Sequence, residues 1–474
     1  MNGLRVQCGT DQRPARSYPE RSSTPSVAPR VSPAFARESS SAQVGGNKET
    51  RVRMMIWGTI GTMTALAVAI AGVGGERIQA AERWSDNQEG LSAQALAQCT
   101  STPAFLQIPT GILQSNTGNL LVAESGTAAP NTGRISIVDL DGHRRTLLSG
   151  LPSGISDVGT PNGPSGLFMR GRTLFVAVGS GDVGRNGPVP GTSIPNPTSP
   201  PSSPIFSSVL AIHLSSRVEQ TTDGFAMTLS DQQALASGQA VRLSSGGQFI
   251  SVELVAKLPN FTAKPLAAFP ANVDLTNPFA LVGVGDQLYV TDGGQNAVWQ
   301  VDISSGAFRK LTEFSDIPNP LFPAVGGPFE EAVPTGIAYS GGRLLVALFS
   351  GAPFAPGTSS IQQVFLNGTQ MPLVTGLKTS IGVLQIDSDN DGADDRQENR
   401  NDGDDGDYLV LQNASTGPFF NGPGLVLRIV ETDRPPTVLA NCLTRPTAMT
   451  LDRREHTLYV TDLAGHVVAI PLPR

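Results

Sequence analysis

The sequence predicts an all-β fold, a six-bladed β-propeller, and three observations predict it. A phrase made of Pro, one variable residue and a small or apolar residue, then a short turn and an L-x-V run, recurs six times. Each copy is followed by an apolar third run, and usually by a fourth that ends in a Leu-Pro-like phrase. The 52 glycines and 37 prolines among 474 residues exceed the roughly 12% of average usage, so turns are dense, and helical periodicity is almost absent.

Taken in chain order, residues 1–53 hold nine Arg and Lys against four acids, set among Ser, Pro and Ala. Such a segment buries too little apolar surface to offset its ordering entropy, and it is predicted to be a disordered basic tail. From Met54 to Gly75 there is no charge, Lys48, Arg51 and Arg53 precede the run, and Ile78-Gln79-Ala80 offers a small-residue cleavage site. Residues 54–81 therefore read as a signal peptide or, since the run is long enough to span a ~30 Å hydrocarbon core, a membrane anchor. The rest of the chain is expected to be exported, periplasmic or extracellular, with membrane contact only through residues 54–75 if they stay attached. Residues 82–102 read as a linker and 103–474 as the propeller.

The six copies begin at Pro109-Thr-Gly111, Pro164-Ser-Gly166, Pro278-Phe-Ala280, Pro334-Thr-Gly336, Ser380-Ile-Gly382 and Pro446-Thr-Ala448. Four short strands per copy make one blade. The sixth copy ends after three strands, and Ala104-Phe-Leu-Gln-Ile-Pro109 has the apolar-then-Pro ending of an outer strand. That segment is expected to pair with residues 466–471 and remove an exposed edge. Blade two carries two insertions, a Pro/Ser-rich loop at 183–204 and a stretch at 215–250 whose alternation (GFAMTLS, QAVRLSS) predicts an added hairpin rather than a helix.

Composition excludes several chemistries. The four His, at 143, 213, 456 and 466, are too scattered for an H-E-x-x-H helix, and three Cys cannot build a zinc ribbon. Gly179-Ser-Gly181-Asp-Val-Gly184 fits G-x-G-x-x-G, but a Pro-rich loop follows it where a helix would have to hold a pyrophosphate. The net charge is −7, and the basic tail lies at the far end of the chain, so the remainder is more acidic still and repels phosphate backbones. Nucleic acid is not an expected partner; a small molecule or another exported protein is.

GPSGLFMRGRTLFVAVGSG (163–181), NPFALVGVGDQLYVTDGGQNAVWQVD (277–302) and VPTGIAYSGGRLLVALFSGAPFAPGTSSIQQV (333–364) together resemble the ScyD/ScyE family of exported, NHL-like six-bladed propellers. The resemblance runs from about Pro103 to Pro471. It implies an exported propeller and supplies no catalytic residues to carry over; the basic tail and an acidic insertion in blade five stand outside the family's usual pattern.

That insertion carries the strongest chemical signal. Asp387, Asp389, Asp391, Gly392, Ala393, Asp395 and Glu398 fit D-x-D-x-D-G-x5-E in full register. Carboxylates at loop positions 1, 3 and 5, the Ala393 carbonyl at 7, Asp395 at 9 and a bidentate Glu398 at 12 make a Ca2+ sphere. Flanking strands in place of helices, and Asp394 at position 8, liken it to an isolated Asp-rich calcium loop rather than a paired EF-hand. It joins the first two strands of blade five, on the face opposite the loops that usually surround a propeller's ligand, so a structural ion is expected.

At the end of each second strand stand Glu124, Val178, Asp292, Leu348, Gln412 and Asp462. Glu124, Asp292 and Asp462 could converge on a cation or on sugar hydroxyls; equally, Asp before Gly-Gly or Leu-Ala-Gly caps its own turn. Cys99 and Cys442 are the one pair outside the tail and form a possible disulfide. Two kinds of function follow. The first is a non-catalytic binding scaffold stiffened by calcium, and the second a metal-dependent lactonase or esterase acting through Glu124, Asp292 and Asp462. A quinone-dependent sugar dehydrogenase lacks a suitable His/Arg set.

Overall fold

A computed structural model describes residues 99–473 apart from 199, 216, 388–405 and 433. The chain divides into two compact units, Met1–Val73 and Gly74–Arg474, and every described residue lies in the second. The tail, the export segment and the calcium loop beyond Asp387 thus lie outside the described residues. Among the described residues, no helix is long and apolar enough to cross a membrane.

The described chain forms six antiparallel sheets whose first strands sit side by side in a closed cycle: Pro109–Gln114, Pro164–Arg170, Pro278–Val284, Pro334–Ser340, Ser380–Asp387 and Pro446–Asp452, the last packing on the first. Second strands such as Leu120–Glu124, Arg343–Leu348 and Gly406–Gln412 are buried along their whole length. Each is covered by sheets on both sides, which is why these runs read as continuously apolar rather than alternating.

The recurring Pro-Thr-Gly phrase has a physical cause at the ring's centre. Its hydroxyl reaches across the seam to the next blade: Thr110 Oγ1 donates to the Pro164 carbonyl (2.9 Å), Ser165 Oγ to that of Pro278 (3.0 Å) and Thr335 Oγ1 to that of Ser380 (3.1 Å). Where the hydroxyl is replaced by Phe279 or Ile381, Thr291 Oγ1 and Asn413 Nδ2 bridge instead, to Thr335 and Pro446. The third position must be small because the inner strands converge there. A Cβ on Gly166 would stand 2.5 Å from Ala280 Cα, and one on Gly336 2.6 Å from Gly382 Cα.

The ring closes with an N-terminal strand in blade six, but not the expected one. Thr100–Pro103 pairs antiparallel with His466–Ala469, so the propeller starts within the stretch read as linker. Ala104-Phe-Leu-Gln-Ile continues past the sheet: Ala104 and Leu106 are buried among Ile112, Leu120, Tyr459 and Val467 in the seam between blades six and one, and Phe105 is exposed. The apolar pattern marked a seam plug rather than a strand. Cys99 and Cys442 form a disulfide with Cα atoms 6.4 Å apart, tying this closing strand to Thr437–Leu443, the outer strand of blade five.

Blade two's insertion at 215–250 holds a hairpin and two short helices, the first Val218–Thr221. Val241–Ser245 adds a fifth strand beside Gln248–Lys257, as expected. The helix Leu229–Ala236 was not expected; Thr228 caps it reciprocally with Asp231. Ahead of it, Phe225–Ala226 lies parallel to Arg144–Leu151, lashing the insertion to blade one.

Candidate functional site on the loop face

The starts of the first strands and the ends of the second strands share one face, and the long connections gather there. Four of them carry small hairpins of their own: Gly154–Ile155 with Pro161–Asn162, Gly184–Asn186 with Ser193–Pro195, Phe261–Ala263 with Val273–Leu275, and Ile317–Pro318 with Phe329–Glu330. The ends of the acidic insertion, Asp387 and Gly406, lie where the first strand of blade five ends and the second begins, at the opposite end of the sheet.

Glu124, Asp292 and Asp462 are all buried, and each turns outward to the third strand of its own blade. Glu124 accepts from Gln107 N (2.5 Å), from Ser136 Oγ and from Arg144 Nη2 (2.8 and 3.2 Å), with Arg134 beside it. Asp292 Oδ1 takes the amides of Asn277, Gly294 and Gln295 (2.7, 3.1 and 3.1 Å), and Oδ2 takes the indole N–H of Trp299 (2.8 Å). Asp462 receives the amide of His466 at 3.1 Å and lies 3.2 Å from its ring Nδ1. Burial pushes Asp292 up to about 6 against the pull of its four donors. Val178 and Leu348 occupy the same position with no polar atom, and Gln412 sits there fully buried with neither amide atom hydrogen-bonded among the described residues. The position serves turns and packing, and its three acids are engaged within three separate blades.

A different group of charges meets on the loop face. Lys264, just past the strand Phe261–Ala263, lies with its Nζ 3.1 Å from Asp274 Oδ2 and 3.9 Å from Glu331 Oε1. Asp316 and Asp157 contribute to the same field, the latter held by Ser193 Oγ at 2.7 Å. These residues come from four connections, over blades one to four. The Glu331 carboxylate is 51% exposed yet set in surroundings that desolvate it, and burial, reinforced by Asp274, Asp316 and Asp157, pushes it up to about 7 despite Lys264. Burial opposes the charge on Lys264, but Asp274, Glu331 and Asp316 outweigh it and hold its ammonium above the usual lysine value. Burial also raises Asp274 beyond what its Lys264 partner offsets.

A carboxyl that titrates near neutrality beside a fixed ammonium can accept or donate a proton and can pair with a polar ligand. Spacing gave no hint of this group, whose members are scattered through Gly/Pro-rich loops. The one available signal was loop length: the connections at 258–277 and 314–333 exceed what a turn requires.

One further cluster could hold a metal on geometry alone. Ligand atoms of Asp139, Asp141 and His143 lie within 4.8 Å of one another on the turn between the third and fourth strands of blade one. Asp139 already accepts the His143 amide (2.8 Å) and lies 3.1 Å from its ring Nδ1, which is an ordinary capped turn.

The class defined by fold is a six-bladed β-propeller with elaborated loops on one face. No protein-family profile and no curated protein matches the sequence. Among solved structures, the chain is similar to a streptogramin B lyase (11% identity, TM-score 0.39, covering 81% of this chain and all of that one). It is also similar to a gluconolactonase from Xanthomonas campestris (12%, 0.41, 80% and 90%) and to a Thermus thermophilus protein described as an oxidoreductase of the glucose dehydrogenase kind (12%, 0.42, 79% and 100%). At this level of similarity none of their activities transfers.

Proposed function

We propose that this protein is an exported, calcium-binding β-propeller that acts as a binding scaffold for a small molecule or protein, of the kind its resemblance to ScyD/ScyE proteins implies. One observation carries the reading. The acids at the second-strand ends are each engaged within their own blade, whereas Lys264 and Glu331 present an exposed, titratable pair on the face with the longest loops. Asp387, Asp389, Asp391, Asp395, Glu398 and the Ala393 carbonyl would hold Ca2+ on the opposite face, where an ion relieves carboxylate repulsion and fixes an insertion rather than touching a ligand.

The test is a thermal-shift and calorimetric screen of the full chain against sugars, amines, carboxylates and peptides. A saturable ligand whose binding falls at least tenfold in both Lys264→Met and Glu331→Gln supports the reading. Absence of saturable binding in every class overturns it, and binding untouched by both substitutions takes Lys264 and Glu331 out of the site.

A further inference from the structure

Over blades four to six the loop face carries an aromatic cluster that the charged group does not use. Phe354 and Phe420 lie with ring centroids 4.5 Å apart at 31°, and Phe349 meets Phe354 edge-on at 5.8 Å. Phe420 is 39% and its neighbour Phe419 51% exposed. The Arg445 guanidinium sits 5.6 Å from the Phe420 centroid.

This cluster is built, not incidental. Phe354 and Phe419 both have left-handed backbone, with φ of 57° and 60°, a conformation that side-chain-bearing residues keep only where surroundings enforce it. The enforcing group is Lys378, which is fully buried and donates its ammonium to the carbonyls of both Phe354 and Phe419, each at 2.8 Å. The Phe419 amide also donates to the Pro353 carbonyl (2.7 Å). Beneath, the buried Glu330 carboxylate takes the Ala355 amide (3.1 Å) and the Thr358 hydroxyl (2.9 Å), fixing the same loop. Two loops from different blades are thereby locked into one platform.

Arg445 decides what the platform suits. Its guanidinium makes a long contact from Nη1 to the Gly422 carbonyl, 3.3 Å, and no carboxylate pairs with it among the described residues. Burial lowers its pKa, the mark of a guanidinium partly stripped of water. A planar guanidinium that gives one Nη1 hydrogen to a carbonyl and pairs with no described carboxylate, set beside exposed rings, matches a carboxylate carried on a flat apolar body, since its remaining donors take the oxygens and the rings cover the body. A neutral sugar would leave the cation uncompensated.

We propose that Phe354, Phe420 and Arg445 form a binding site for a small aryl carboxylate. This rests on the binding-scaffold reading and names a ligand class for the loop face. Lys378 acts as a positioning residue, holding the loops and not the ligand.

The probe is 2-naphthoate, titrated into the full chain by calorimetry beside its neutral isostere 2-naphthalenemethanol and beside acetate. Expected are saturable binding of naphthoate, binding of the alcohol roughly tenfold weaker or more, and none of acetate. Arg445→Gln should weaken naphthoate at least tenfold while leaving the alcohol unchanged, and Phe420→Ala should weaken both. Arg242→Gln, which removes a separate guanidinium–ring pair in blade two (3.9 Å to Phe249), should alter neither. Far-ultraviolet dichroism of each variant guards against misfolding, and Arg445→Lys, which keeps charge but loses the fork, should fall between. Naphthoate that fails to bind, or binds no better than the alcohol, or is indifferent to Arg445→Gln, overturns the proposal. If another ligand still binds through Lys264 and Glu331, that failure leaves the scaffold reading standing.

Discussion

Removing the Cys99–Cys442 bridge should unfasten the ring at its one non-covalent seam. The closing strand Thr100–Pro103 is only four residues long and pairs with His466–Ala469 alone; buried Ala104 and Leu106 hold its far end, and the disulfide holds its start. The bridge spans 343 positions, and chain entropy puts its largest contribution at roughly 5–6 kcal/mol. For about 375 folded residues at about 2.1 cal/mol/K each, that is a fall in Tm of roughly 7 °C at most. The assay is scanning calorimetry of wild type and the Cys99→Ser/Cys442→Ser pair, with hydrogen exchange read at Val467–Ala469. The variant should melt several degrees lower, and exchange should quicken there and spread into Thr457–Asp462 before reaching blades two to four. A Tm within about 1 °C of wild type together with unchanged exchange in blade six would refute the reasoning.

Further outcomes follow from the same structure. Gly166→Ala places a methyl against the Ala280 backbone and should cost roughly 1–3 kcal/mol in denaturant titration. Because Asp292 titrates near 6 when folded and near 4 when unfolded, the folded state holds the proton more tightly. Its contribution to stability is present in acid and is lost as pH rises from about 4 through 6, roughly 3 kcal/mol in all; Asp292→Asn should flatten that slope even though its amide opposes the Trp299 N–H. Carbon-detected NMR should find the Glu331 carboxyl titrating near 7, and Lys264→Met should move it higher still by deleting the cation that favours its charge. Ca2+ at 100 times its Kd should stabilise the chain by about 2.7 kcal/mol, and Glu398→Gln should abolish the effect, as read by melting with and without chelator.

The ring was legible because its centre imposes the same demands six times. Three inner strands use a seam-crossing hydroxyl and a residue small enough for its neighbour, which writes Pro-Thr-Gly into the sequence at 109, 334 and, with Ser, at 164. Phe279 and Ile381 break the phrase, and there Thr291 and Asn413 supply the hydrogen bonds from the second strand side. The closing strand was misplaced because Thr-Ser-Thr-Pro has no apolar pattern: Thr100 and Ser101 are exposed, and backbone pairing defines the strand. Ala104 and Leu106 supplied the expected alternation while filling a seam between blades. The helix Leu229–Ala236 was signalled by Thr228 and Asp231 at capping-box spacing and by Gly238 beyond its end, a local signal overridden by the alternation around it.

The candidate site was less legible for a related reason. Acids at a fixed point of a repeat, Glu124, Asp292 and Asp462, stand out in a sequence because the repeat needs them, and the need is structural: they hold turn amides, an indole and an arginine. Lys264, Asp274, Asp316 and Glu331 follow no repeat, since loops on a binding face are free to differ from blade to blade. They meet only once the ring brings the connections at 258–277 and 314–333 together.

The most direct test of a binding rather than catalytic propeller is turnover itself. The full chain, with calcium and with chelator, is incubated with lactones, esters and sugars in the presence of an electron acceptor, and products are followed by mass spectrometry. No product should form above the uncatalysed rate in either condition while loop-face ligands still bind. Rapid lactone or ester cleavage that Glu124→Gln and Asp292→Asn each abolish without unfolding the chain would contradict a binding role.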